Sequence, residues 1–218
     1  QMKSLILKDL YNIGHNAKSM LLILLVFAIG LIMVSGVESY IISSGVLCSM
    51  MIVTTFTFDD HCKWSKYALV MPICKKDIVK AKFIVLIIFC IAGICVGTIF
   101  GVAGGVAMHK MALSMEGIVT MLFMGFVGLI VSVIFGSMSI PLVFKYGAEK
   151  GRMLLLISFA VPLGICFMVY EILMMLGVKI TDQLIFTILC ASPLIAAIWI
   201  YTMYRISCRI FYKQEING

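Results

Sequence analysis

With 218 residues, 63% of them hydrophobic and 12% charged, the chain carries about half the charge of an ordinary soluble domain. Its mean hydropathy of +1.16 excludes a soluble enzyme or a disordered tail, because a surface so short of charge does not stay in solution. The net charge of +7 invites a nucleic-acid reading, but the basic residues stand in loops and ends and report topology instead.

The chain opens on an amphipathic stretch. Met2, Leu5, Ile6, Leu10 and Ile13 form a helical stripe, and Lys3, Ser4, Lys8 and Asn12 lie mostly elsewhere. Asp9 falls inside the stripe, which is odd for burial in lipid and suits a salt bridge to protein. An N-terminal interfacial helix over residues 2–19 is expected. Six apolar stretches follow, each about long enough to cross a bilayer core of roughly 30 Å: Met20–Val37, Tyr40–Phe58, Phe83–Ala107, Ile118–Ile140, Met153–Leu176 and Leu184–Tyr204. The fold expected is an all-α integral membrane protein, one transmembrane domain over 1–218.

Between the second and third stretches, Asp59 and Asp60 can cap a helix start. Trp64, Tyr67, Ala68 and Met71 then recur at i, i+3, i+4 and i+7, and Pro72 ends the run. This short amphipathic helix is either a membrane-surface anchor, with its aromatics among the headgroups, or a docking helix for a cytoplasmic partner. Span three carries Gly93, Gly97, Gly101 and Gly105 on one face, and span four adds Gly128, Ser132 and Gly136 at the same spacing. Such rows let backbones approach closely. Packing of span three on span four inside one chain is the preferred reading, with a homodimer seam as the alternative. Polar groups within spans are few. Ser43, Thr54 and Thr55 of span two, and Ser158 and Glu171 of span five, are the candidates for a transport pathway; the hydroxyls can equally bond their own helix carbonyls.

Charge counting sets the orientation. Fifteen of the seventeen Lys and Arg fall in the N-terminal arm, the loops after spans two and four, and the C-terminal tail; only Lys110 and Lys179 fall on the other side. By the positive-inside rule both termini are cytoplasmic. No cysteine falls in an outer loop, and no CxxC or His/Cys cluster suggests a metal. The chain has neither a GxxxxGK[ST] phosphate loop nor an HExxH. No catalytic residue is proposed, and no cofactor or metal is assigned to this chain.

The stretch Lys66–Phe83, KYALVMPICKKDIVKAKF, resembles the signature after the second span of type-2 ABC transporter permeases, with Tyr67, Pro72, Lys75, Ile78, Val79 and Lys82 matching in type and spacing. Met71 stands where Leu is usual and Cys74 where Ser is common. Leu5–Leu10, LILKDL, and Ser139–Arg152, SIPLVFKYGAEKGR, are also similar to these permeases, above all to the short bacterial branch that includes exporters of phenol-soluble modulin-type peptides. The resemblance implies a bacterial cytoplasmic membrane protein. It implies two permease chains working with two separate ATPase subunits, which bind ATP and Mg, and a pathway lined by spans one, two and five. It makes the loop over 59–82 a coupling loop, docking the ATPase through Trp64, Tyr67, Met71, Pro72, Lys75 and Lys76. Lys145, Glu149, Lys150 and Arg152 would make a second cytoplasmic contact. The function expected is export of an amphipathic or hydrophobic substrate, with peptide favoured. The alternatives are a six-span substrate-capture subunit of a vitamin importer and a non-transporting immunity or sensor protein.

Overall fold

A computed structural model of the chain describes residues 2–14, 17–64, 75–108, 115–153, 155–175 and 182–214. The described residues form α1 (Met2–Gly14), α2 (Ala17–His61), α3 (Lys75–Ala107), α4 (Met115–Met153), α5 (Leu155–Met175) and α6 (Asp182–Gln214). Among the described residues, four helical stretches are long and apolar enough to cross a membrane, Lys18–His61, Lys76–Ala107, Gly117–Ala148 and Leu189–Lys213, with a shorter apolar helix at Ile157–Ile172. The protein is therefore an all-α, multi-pass membrane protein.

The first of these stretches is not straight. Gly36 interrupts α2 with φ 87° and ψ 173°, a backbone region essentially reserved for glycine. In an unbroken helix Leu24 and Tyr40 would stand about 24 Å apart. Instead the Tyr40 hydroxyl donates to the Leu24 carbonyl at 3.1 Å, so the chain turns back on itself at Gly36. Leu24, Ala28 and Ile32, spaced by four, face inward, while Leu22, Val26 and Val34 face out. The two arms of α2 are two helices that meet at Gly36, and they correspond to the first two apolar stretches of the sequence.

Helix limits differ from the apolar limits wherever polar residues continue a helix. α3 begins at Lys75, eight residues before the apolar stretch, and α6 runs to Gln214, ten residues beyond it. Hydropathy marks where a helix meets lipid, not where it ends. α4 likewise passes through Pro141 and breaks at Gly147, with φ 81° and ψ 168°. α5 continues through Pro162.

The glycine row of span three packs, but not where expected. A Cβ added at Gly93 would meet Cys48 Cβ at 2.5 Å. One at Gly97 would meet Ser44 Cβ at 2.8 Å, and one at Gly101 would meet Val37 and Ile41. The row faces the second arm of α2, not span four; Gly105 is also buried. α4 uses its own small residues: Gly125 and Gly128 take the Ile94 side chain of α3, and Gly136 sits against Ser49 and Leu86. The spacing gives a close-packing face, but the neighbour is decided by Ser44 and Cys48, a second small-residue row on α2 that complements it. Ser44 adds a hydrogen bond across the seam, donating to the Gly93 carbonyl at 3.1 Å.

Two apolar clusters hold the bundle. One, around Ala28, Ile32, Tyr40, Ile41, Ile94 and Met121, lies toward the Gly36 turn. The other gathers Ile13 of α1, Ile52 and Phe56 of α2, Val79 and Phe83 of α3, and Val143 of α4, with Tyr204 and Phe211 of α6 packed on it. Rings bridge helices within it: Phe56 and Phe144 at 4.9 Å, Phe144 and Phe211 at 5.2 Å, and Phe83 and Tyr204 at 5.9 Å between centroids. α1, the last turns of α6, the roots of the loop after span two and the Gly147 break thus share one end of the molecule.

Candidate functional site: the basic end

That end is built on a closed ring of four charges. Asp9 of α1 and Lys82 of α3 pair at 2.9 Å, and Lys82 and Asp59 of α2 at 2.6 Å; Asp59 pairs in turn with Lys8, whose ammonium lies 3.3 Å from Asp9. Signs alternate around the ring, and its net charge is zero. The side chains of Asp9 and Lys82 are 3% and 4% exposed, a depth at which an unpaired charge is not tolerated. Lys82 completes its shell by donating to the Thr55 hydroxyl at 3.0 Å, with its ammonium 4.6 Å from the Phe56 ring centre. Lys8 lies 4.4 Å from the centre of the Trp64 ring. Asp9 sits where the sequence puts it, on the apolar stripe beside Leu5 and Ile13, and makes the salt bridge its position suggested.

Asp59 and Asp60 lie in the last turn of α2, which runs to His61; the helix expected after them falls mostly on 65–74, outside the described residues. Asp59 is held in the ring, and the Asp60 carboxylate accepts the Ala148 backbone N–H at 3.1 Å. Asp60 is thus a cap, but for the chain beyond the Gly147 break, where the ladder of α4 is interrupted and an N–H is left over. This bond ties the loop after span two to the loop after span four. α2 itself ends in a turn with Lys63 in the left-handed region, φ 50°.

Of the residues the sequence nominated for ATPase docking, Trp64 is partly buried under Lys8, and Lys76 is exposed on the first turn of α3. Tyr67, Met71 and Pro72 lie outside the described residues, as does the side chain of Lys75. For the second contact, Lys145 and Lys150 are exposed, with the Lys145 ammonium 4.9 Å from the Tyr146 ring centre; the side chains of Glu149 and Arg152 lie outside the described set.

The five pathway candidates do not converge. Ser43 donates to the Ser39 carbonyl at 2.8 Å, and Thr54 reaches the Met51 sulfur at 3.9 Å. Thr55 is fully buried, donating to the Ile52 carbonyl at 2.7 Å while serving Lys82. Ser158 is buried with no hydrogen-bond partner, at a gap shared with Ser49, Ser139, Phe135 and Phe159 that has no room for a water. Glu171 is exposed, about 20 Å further along α5 from Ser158. At the opposite end from the ring, Ser35, Gly36, Glu38, Gly117 and Thr120 line an open cavity of about 430 Å³. Among the described residues no group of three or more His, Cys, Asp or Glu is placed to hold a metal.

The ring is what the sequence did not disclose. Lys82 was legible as part of a motif and a basic loop, and Asp59 as a cap. The available signal was a Lys and an Asp at matching depth in consecutive antiparallel spans, beside an Asp on an apolar stripe.

No curated protein sequence and no solved structure matches the chain. The family model described as ABC-2 family transporter protein matches residues 4–212, nearly the whole length, from the first turn of α1 to the last turn of α6. The chain belongs to the ABC-2 family of transporter proteins, as a multi-pass membrane permease subunit.

Proposed function

We propose that this chain is the six-span, N-in and C-in permease half of an ATP-driven exporter, moving an amphipathic or hydrophobic substrate, most consistent with peptide, out of a bacterial cell. ATP and Mg are bound on a separate ATPase, and two copies of this chain assemble with two of those subunits. One observation carries the coupling part of this reading: the Asp60–Ala148 bond joins the roots of the two loops that resemble the family's docking contacts. Force delivered at either loop is then shared by both, and passes through the ring into α1, α2 and α3. The broad apolar faces of span one and α5, with Leu22, Val26, Val34, Leu163 and Phe167 exposed, leave room for lipid and for a second copy. A scarcity of charge inside the spans favours an apolar or amphipathic substrate over an ion.

The deciding experiment is capture of the ATPase by the chain carrying Trp64→Ala with Tyr67→Ala. Loss of two aromatic anchors should remove a few kcal/mol from docking, with membrane insertion intact. Retention of the ATPase at wild-type level would leave the loop as a surface anchor and sink the docking assignment. The capture-subunit reading keeps one observation in its favour, the outer cavity beside Glu38. It predicts one copy of this chain with a shared large subunit, where the exporter reading predicts two copies with two ATPases, and the stoichiometry of the purified complex separates them.

A further inference from the structure

We propose that the four-charge ring makes α1 a working part of the coupling apparatus, with Lys8 and Asp9 as positioning residues that hold both roots of the loop after span two. The proposal rests on the ATPase-docking reading above. Asp59 stands at one root of that loop and Lys82 beyond the other, paired at 2.6 Å, so the loop is closed at its base without help from α1. Two consecutive residues of α1 then engage both roots at once: Asp9 meets Lys82 at 2.9 Å, and Lys8 meets Asp59. A third contact places Lys8 over Trp64, a residue of the loop itself. Any movement of the loop roots therefore drags α1 or breaks the ring.

Anchorage alone does not need these charges. Leu5 and Ile13 already bury α1, and well-packed apolar residues often hold as well as a buried ion pair or better. What charge adds is register: an apolar contact can slide, whereas a paired ammonium and carboxylate in a low dielectric accept little displacement. Both roots are held directly: Lys8 donates to Asp59, and Asp9 meets Lys82 through Oδ2 at 2.9 Å, while the other Asp9 oxygen, Oδ1, is buried without a hydrogen bond and lies 3.3 Å from the Lys8 ammonium.

Ring arithmetic supplies the test. Lys8→Gln with Asp9→Asn removes one charge of each sign and leaves Asp59–Lys82 as a neutral pair, so no orphan charge is buried. The chain is assembled with its ATPase in nanodiscs. Spin labels are placed at Tyr11→Cys, which is 84% exposed, and at native Cys62, with the other cysteines replaced. The expected result is a narrow Tyr11–Cys62 distance distribution for the intact ring, at least twice as broad in the double variant. kcat for ATP hydrolysis should fall at least fivefold, with KM and the amount of ATPase captured within twofold. Lys8→Arg with Asp9→Glu should restore both. An unchanged distribution, or a kcat within twofold of wild type, would overturn the proposal; the second result makes the ring an anchor only. If the wild-type chain captures no ATPase, the docking reading fails on its own, and the nucleotide-free distance comparison still decides whether the ring tethers α1 to the loop.

Discussion

Substituting Gly97 by alanine tests the α2–α3 seam, because the added methyl has nowhere to go. Its carbon would stand 2.8 Å from Ser44 Cβ, whereas carbon atoms in contact rest about 3.5–4.0 Å apart. The Ser44 hydroxyl could swing away, at the loss of its bonds to the Ile41 and Gly93 carbonyls, but its Cβ is fixed to the helix. The two backbones must therefore separate by roughly 1 Å. Overpacking of this kind costs about 1–3 kcal/mol, from which up to about 1 kcal/mol is recovered by the better helix propensity of alanine. Removing the obstacle should reverse the effect. With Ser44→Gly in the same chain, the next atom a Gly97→Ala methyl meets is the Ile41 carbonyl oxygen at 3.6 Å, an ordinary contact. Ser44→Gly alone should also destabilise, by about 1 kcal/mol for the glycine plus a similar amount for the hydrogen bonds. The double variant should then be more stable than the sum of the singles by at least about 1 kcal/mol. Equilibrium unfolding in mixed micelles measures all four corners of the cycle. Additivity within about 0.5 kcal/mol would mean that the two residues do not meet, and would refute the seam.

Three further expectations follow from other parts of the molecule. Gly36→Ala should lower stability by about 1–3 kcal/mol although a Cβ there meets no atom within 4 Å; a wild-type unfolding midpoint would show that the turn does not need its left-handed backbone. Asp59→Asn leaves Lys82 with Asp9 alone and the ring one positive charge in excess, so a loss of about 3–5 kcal/mol is expected, largely relieved by adding Lys8→Gln; equal instability of the single and double variants would count against a closed ring. In sealed cells an impermeant maleimide should miss Cys62, which is exposed at the basic end, and should label it once the membrane is permeabilised, whereas Cys48 and Cys90, both buried, should stay unreactive until the protein unfolds; labelling of Cys62 from outside would invert the topology.

The membrane class was legible because burial in lipid selects composition directly, and the gathering of basic residues at one end follows from where Lys and Arg stand along the chain. Asp9 was legible because it breaks a stripe, and a broken pattern calls for a partner. Its partners were not, since Asp59 and Lys82 are 50 and 73 positions away and meet it only through the packing of three helices. The glycine row of α3 was legible as a close-packing face, but spacing on one helix carries no information about which neighbour fills it; Ser44 and Cys48 on α2 settle that. The polar first turns of α3 read as loop in the sequence because charged residues dominate 75–82, whereas the helix buries Val79, Ala81 and the paired Lys82 there. Asp60 is legible as a capping residue by its chemistry, but its partner at Ala148, 88 positions away, is not.

The ring also imposes an order on the making of the protein. Its members run from residue 8 to residue 82, so it cannot close until α1, both arms of α2 and the start of α3 have all left the ribosome. Before that point Asp59 ends a hairpin whose other charges have nothing buried to meet, and a carboxylate without a partner keeps to water. α1 in turn has no Lys82 to receive Asp9, and its stripe can rest only at the surface. Arrival of α3 supplies the missing cation, and three separately inserted pieces become one. Closure of the ring thus joins α1, both arms of α2 and the start of α3 in a single event.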